Sequence, residues 1–298
     1  MRRISTGISL FFLLAVVAAG QQMSTYSQFM FNNYVLNPAV AGTVNHYQIR
    51  ADSRFQWAGI VDGPQTVSFS VFGPHAKKPM GFGGYILSDI TGPTSRTGIY
   101  GSYAYNIGLT DAIRLSMGLS FGMLQNKVDG TKITLYDPND HALQESVYSS
   151  VVPDASVGAY AYGENWYAGF SAFQLFANSL KMYDEKNGLN KLKTHFYLMG
   201  GYTFHAGDDW AIEPAALYKK TAVVPAQIDL NVKVTYLDKV WLGATWRSSD
   251  AIALLVGYIH AGKYYFGYSY DIGINEIRRY NSGTHEIMVA VHFNDIKK

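Results

Sequence analysis

The sequence predicts an all-β chain: a transmembrane antiparallel β-barrel of about fourteen strands, with short periplasmic turns and longer extracellular loops. Three observations carry that prediction. Apolar and polar residues alternate with a period of two over many separate segments. After the first twenty residues no apolar run reaches the ~20 residues that a spanning helix needs, so any spanning structure must be a closed barrel. Tight turn signals fall at every second connection, as in bacterial outer-membrane barrels. Composition agrees. Of 298 residues only 15% are charged and another 15% are aromatic, with 23 tyrosines and 29 glycines, unlike the charge-rich surface of a soluble domain. A mean hydropathy of −0.03 shows apolar residues interleaved with polar ones.

Residues 1–20 read as a signal peptide. Arg2 and Arg3 give the positive start, residues 8–17 an apolar stretch too short to span, and Ala18-Ala19-Gly20 a small-residue cleavage site, so the mature chain is expected to begin near Gln21. The absence of cysteine excludes lipoprotein processing, disulfides and thiolate metal sites. Export with a barrel wall places the protein in the outer membrane, in contact with outer-membrane lipid, with both termini expected on the periplasmic side. Residues 21–42 precede the first strand and carry the turn signal Asn37-Pro38. They form either a plug in the lumen or a periplasmic segment; aromatics at Tyr26, Phe29, Phe31 and Tyr34 would be unusual in a free tail.

The barrel is expected over residues 43–298. Alternation is cleanest over 227–236, where Ile228, Leu230, Val232, Val234 and Tyr236 alternate with Gln227, Asp229, Asn231, Lys233 and Thr235. Near the start, Tyr47, Ile49, Ala51 and Phe55 alternate with His46, Gln48, Arg50, Asp52 and Arg54, and those charges must face the lumen. A one-residue slip would turn them to lipid at about 2–4 kcal/mol for each Arg near the midplane. The pattern recurs over 113–123, 264–272 and 284–293, the last ending on the aromatic Phe293. Connections at 74–79, 108–111, 163–165, 207–209, 237–239 and 261–263 are short, and the intervening ones include the longest, 127–153, 178–193 and 275–283. Trp166, Tyr167, Trp210, Trp241 and Trp246 near strand ends suit either interfacial girdles or lumen filling.

No constellation for catalysis appears. A net charge of +2 without a basic run gives no footprint for nucleic acid. Asp137-Pro138-Asn139-Asp140-His141 offers oxygen ligands that suit calcium or form only a solvated turn. The eight histidines show no metal spacing, no nucleophile motif stands out, and Gly81, Gly83, Gly84, Gly200 and Gly201 lie within strands, where they relieve crowding rather than cradle a phosphate. The expectation is a non-enzymatic chain without catalytic residues, cofactor or metal.

From Tyr26 onward the chain resembles the PorP/SprF family of outer-membrane proteins of the type IX secretion system of the Bacteroidetes. The similar pieces are Tyr26-Ser27-Gln28-Phe29-Met30-Phe31-Asn32, Asn37-Pro38-Ala39 with Ala41-Gly42, Arg54-x-Gln56-Trp57-x-Gly59 and Gly63-Pro64-x-Thr66. Asp89-x-x-Gly92-Pro93, Gly207-Asp208-Asp209-Trp210 with Glu213-Pro214, Gly267-Tyr268-Ser269-Tyr270-Asp271 and residues 282–288 continue them in order over nearly the whole mature chain. Phe29 and Val40 depart from the pattern, which more often has tyrosine there. The resemblance implies a role in secretion, surface anchoring or gliding motility. The partner would be a secreted surface protein, such as an adhesin, with a type IX C-terminal domain; periplasmic or motor components would be further partners. The family pieces and the charged lumen wall single out Tyr26, Gln28, Asn37, Pro38, Gly42, Arg50, Asp52, Arg54, Gln56, Trp57 and Gly59 as candidate partner-binding residues. Equally, Arg54, Gln56, Trp57 and Gly59 could serve only a tight first hairpin, and Asn37, Pro38 and Gly42 could seat the N-terminal segment. A passive diffusion channel is the competing expectation.

Overall fold

The computed structural model describes residues 23–133, 147–180, 191–222 and 224–296. The expected signal peptide and the Asp137 to His141 loop lie outside them. A short N-terminal run is followed by the segments β1 (Tyr47–Phe55), β2 (Gln65–Pro74), β3 (Met80–Thr91), β4 (Thr94–Gly108), β5 (Arg114–Asp129), β6 (Val147–Tyr162), β7 (Trp166–Phe173) and β8 (His195–Tyr202). Then come β9 (Phe204–Ala206), β10 (Trp210–Thr221), β11 (Val224–Tyr236), β12 (Val240–Arg247), β13 (Ala251–His260), β14 (Tyr264–Gly273) and β15 (Thr284–Phe293).

Each strand pairs antiparallel with its sequence neighbours, and β1 pairs with β15 to close the ring. β8 and β9 both pair with β10 and are one strand interrupted at Thr203, so the described wall has fourteen strands. The interruption faces Pro214: Ala215 pairs with Gly201 and Ile212 with Phe204, and between them Pro214 has no N–H for the ladder. The Thr203 N–H turns instead to the Asn165 carbonyl at 2.7 Å. Among the described residues every strand of the ring thereby has a neighbour on both sides, as a barrel wall in hydrocarbon requires.

Alternation assigns the two faces as the sequence predicts. On β1, Gln48, Arg50, Asp52 and Arg54 are buried inward, and on β11 Asp229 and Asn231 are. Ile228, Leu230 and Val232, with Phe121, Leu242 and Leu254 elsewhere, stand exposed on the outer surface, a band of apolar side chains far beyond what a water-facing monomer carries. The aromatic residues divide. Trp210 and Trp246 point outward, whereas Trp241 is buried in the lumen against Phe31, ring centroids 4.3 Å apart, and Tyr167 stacks inside on Tyr160 at 5.5 Å.

Turns such as Leu237-Asp238 and Ala261-Gly262 take positive φ at both residues, the twist that two-residue hairpins favour. They mark one end of the barrel, here the turn end; the longer connections lie at the other, the loop end. That end also holds tight connections, 92–93 between β3 and β4 and 248–250 between β12 and β13. At the turn end Ile296 N–H donates to the Asn45 carbonyl at 2.7 Å, and His46 stacks on His292. Burial there holds the His46 imidazole below its ordinary range.

Candidate functional site

The lumen is occupied by the protein's own chain. Residues 23–43 enter the ring from β1 at the turn end and wind through it in three short helical turns, Phe29–Phe31, Asn33–Leu36 and Pro38–Gly42. Such irregular backbone leaves carbonyls and N–H groups unpaired, and buried ones must find partners. The wall supplies them. Ser116 Oγ donates to the Ala39 carbonyl at 2.6 Å, Ser171 Oγ to that of Leu36, and Asn106 Nδ2 to that of Gly42 at 3.0 Å. Asn37 does the converse, donating from Nδ2 to the Ala159 and Phe170 carbonyls while its Oδ1 accepts from the Ala39 N–H and so caps Pro38–Gly42. Tyr34 donates to Ser102 at 2.9 Å and its ring stacks on Phe72.

Contact this close requires wall positions without side chains. A Cβ on Gly118 would meet the Ala39 and Pro38 backbone, and one on Gly81 the Ala41 carbonyl. A Cβ on Gly267 would meet Gln28 Oε1. Around these the aromatics Tyr26, Phe29, Tyr85, Tyr100, Tyr160, Phe173 and Tyr197 form one buried cluster that joins segment to wall.

Nearer the loop end a charged network grips Ser27. Arg54 of β1 pairs with Asp271 at 2.8 Å and Glu286 at 3.0 Å; Arg247 of β12 pairs with Asp271 at 3.2 Å and Asp250 at 2.9 Å. Lys219 adds a contact of 2.8 Å to Asp229. The Ser27 hydroxyl is at the centre, accepting from both Arg54 and Arg247 at 2.8 Å and donating to Asp271. Glu286 accepts the N–H groups of Ser27 at 2.8 Å and Gln28 at 3.0 Å. Buried charges are tolerable only when paired and hydrogen-bonded in this manner. Asp52, deeper, accepts from Asn32 Nδ2 at 2.8 Å, and Arg50 faces inward nearer the turn end.

The eleven candidate residues therefore fall into three places. Tyr26, Gln28, Asn37, Pro38 and Gly42 belong to the lumen segment; Arg50, Asp52 and Arg54 to the wall around it; Gln56, Trp57 and Gly59 to the β1–β2 connection at the loop end. That connection is demanding, with Trp57 at φ 57° and Gly59 at 96°. It is tied to the β14–β15 connection by Trp57 N–H to Thr284 Oγ1 at 3.1 Å and Ala58 N–H to the Gly283 carbonyl at 2.8 Å. Beside it lies a cleft of about 510 Å³ whose lining includes Met23, Ser24, Thr25, Trp57, Asp89 and Asp250. Sequence reasoning missed Ser27, Arg247, Asp271 and Glu286. The last two lie at inward positions of family pieces, a signal that could have found them.

The sequence profile for the type IX secretion system membrane protein PorP/SprF matches residues 18–291. The chain belongs to that family. It is accordingly a type IX-associated barrel of the outer membrane. No curated protein matches it. Among solved structures, the CymD monoaromatic hydrocarbon channel is similar at 10% identity and a TM-score of 0.52, covering 92% of this chain and 95% of that one. The TodX deltaS2S3 mutant monoaromatic hydrocarbon channel is similar at 8% identity and 0.51, covering 88% and 94%. A Pseudomonas aeruginosa FadL homologue stands at 12% and 0.48, covering 87% and 93%. At these identities the likeness to CymD and TodX is one of fold, a closed outer-membrane barrel.

Proposed function

We propose that this PorP/SprF member is a non-enzymatic barrel that supports secretion of large surface proteins, adhesins among them, and holds them at the cell surface through their C-terminal domain. One observation carries the reading beyond the family match: the lumen holds buried peptide where a diffusion channel holds water. Ser27, Asn37, Ala39 and Ala41 have no solvent exposure, which favours a filled, binding barrel over an open passive channel. Residues 1–20 direct export, the turn end faces the periplasm with the C-terminus, and the loop end faces outward. In this orientation Gln56, Trp57 and Gly59 lie on the side that meets the secreted partner, the turn end on the side of periplasmic or motor components. Arg50, Asp52, Arg54, Asn37 and Pro38 act through the lumen segment that they seat or form.

Deleting the gene is expected to strip one or a few large proteins from the cell surface, read by surface proteomics, while the purified barrel stays silent in planar bilayers. Unchanged surface display together with a steady open conductance would overturn the reading in favour of a passive channel.

A further inference from the structure

The lumen segment has a direction. Its C-terminal end is at the turn end, where the Gly42 carbonyl accepts from Asn106 near the β4–β5 turn and Gly42 packs on Gly81 at the start of β3. Its middle crosses the barrel against Gly118, Ser171 and Trp241. Ser27 reaches the network of Arg54, Arg247 and Asp271, all within three residues of the loop ends of their strands. Ser24 Oγ then donates to Asp89 at 3.1 Å, two residues short of the β3–β4 connection, and Met23 lines the loop-end cleft with Gln56, Trp57 and Ser249.

We propose that the N-terminal end of the lumen segment, at Met23, reaches the loop-end mouth and is accessible from the outer face beside Trp57 and Asp250, opposite the C-terminal residues at the periplasmic end. This runs against the sequence-based expectation that both termini share the periplasmic side. The C-terminal residues and the start of β1 do sit together at the turn end, and the segment between β1 and Met23 spans the lumen to reach the other mouth. Met23 and Ser24 thereby become part of the outward-facing mouth. The inference rests on the orientation in the proposed function and not on the identity of the cargo.

The natural chain has no cysteine, which makes single-cysteine labelling clean. Three full-length variants are compared in intact and permeabilised cells with a membrane-impermeant maleimide: Met23→Cys, Val61→Cys in the exposed β1–β2 connection, and Lys263→Cys in the β13–β14 turn. A Gly-Ser-Cys tag inserted ahead of Met23 covers the case in which residue 23 itself is shielded, and heat-dependent gel mobility confirms that each barrel is folded. Labelling of Met23→Cys or of the tag in intact cells, as for Val61→Cys, supports the proposal. If both label only after permeabilisation, as Lys263→Cys should, or stay unlabelled in a folded barrel, the proposal fails. If Lys263→Cys labels from outside and Val61→Cys does not, the orientation itself is wrong, and the proposal falls with it by a distinguishable route.

Discussion

Glu286 offers the most direct test of the lumen network. The residue is fully buried on β15, directly opposite Arg54 across the seam that closes the barrel, and its carboxylate is shared by Arg54 at 3.0 Å and the N–H groups of Ser27 and Gln28. Glu286→Gln keeps the shape, removes the charge and replaces one acceptor by a donor. Removing one partner from a buried ion pair costs about 3–5 kcal/mol. A buried N–H left without an acceptor costs about 1–3 kcal/mol. Because Arg54 keeps Asp271 at 2.8 Å and both losses occur at one carboxylate, the terms do not add in full, and about 3–5 kcal/mol is expected for the whole change.

The assay is equilibrium unfolding in detergent micelles, followed by heat-dependent gel mobility, with limited proteolysis within residues 23–42 as a separate report on the lumen segment. The variant should lose stability by that amount, and proteolysis should reach the segment while the wall still migrates as folded. A loss below about 1 kcal/mol with the segment still protected would refute the reasoning, since it would mean that the carboxylate is not what holds Ser27. Combining Glu286→Gln with Arg54→Met should give a coupling energy of about 0.5–3 kcal/mol, the mark of groups that act together.

Three further outcomes follow from the same geometry. Gly118→Ala places a methyl against the Ala39 backbone and should cost about 1–3 kcal/mol by overpacking, seen as earlier protease cleavage of the lumen segment. Leu254→Arg turns a charge from mid-strand toward lipid and should destabilise the folded barrel by about 2–4 kcal/mol in bilayers, whereas the natural Arg50 on the inner face carries no such cost. Deleting residues 23–42 while keeping residues 1–22 should yield, if the wall still folds, a barrel that conducts in planar bilayers; silence from such a folded barrel would show that wall side chains alone block the lumen.

The wall was legible because its signal is local. Each strand carries its own alternation, so Arg50, Asp52 and Arg54 could be assigned to the lumen without knowing what they touch. Trp241 could have been assigned in the same way: it shares parity with Thr245 and Arg247, which are buried, and Trp246 with the exposed Leu242. Proximity to a strand end left both open as girdle residues, although the period of two separates them. The partners of Ser27 were not legible. Asp271 and Glu286 lie more than two hundred residues away in sequence and meet Ser27 only after fourteen strands have closed, which no local pattern encodes. Nor does a strand glycine disclose whether it eases a bend or receives another backbone, as Gly118 does.

The inward serines show why a polar lumen does not by itself mean a water-filled one. Alternation predicts polar inner residues for a porin and for a plugged barrel alike, because both keep apolar side chains for the lipid face. The difference is in what the polar groups bond. Ser116 and Ser171 are fully buried and donate to carbonyls of a segment whose helical turns are only three to five residues long. A regular helix in the lumen would have satisfied those carbonyls internally and could have met an apolar wall. The irregular segment therefore requires the serines and asparagines that surround it, and they in turn hold it in one conformation. Removing the segment would strand these donors unless water replaced it, so an empty barrel must also be a wet one. That coupling makes conductance of the deletion variant a test of the wall's chemistry as well as of the plug.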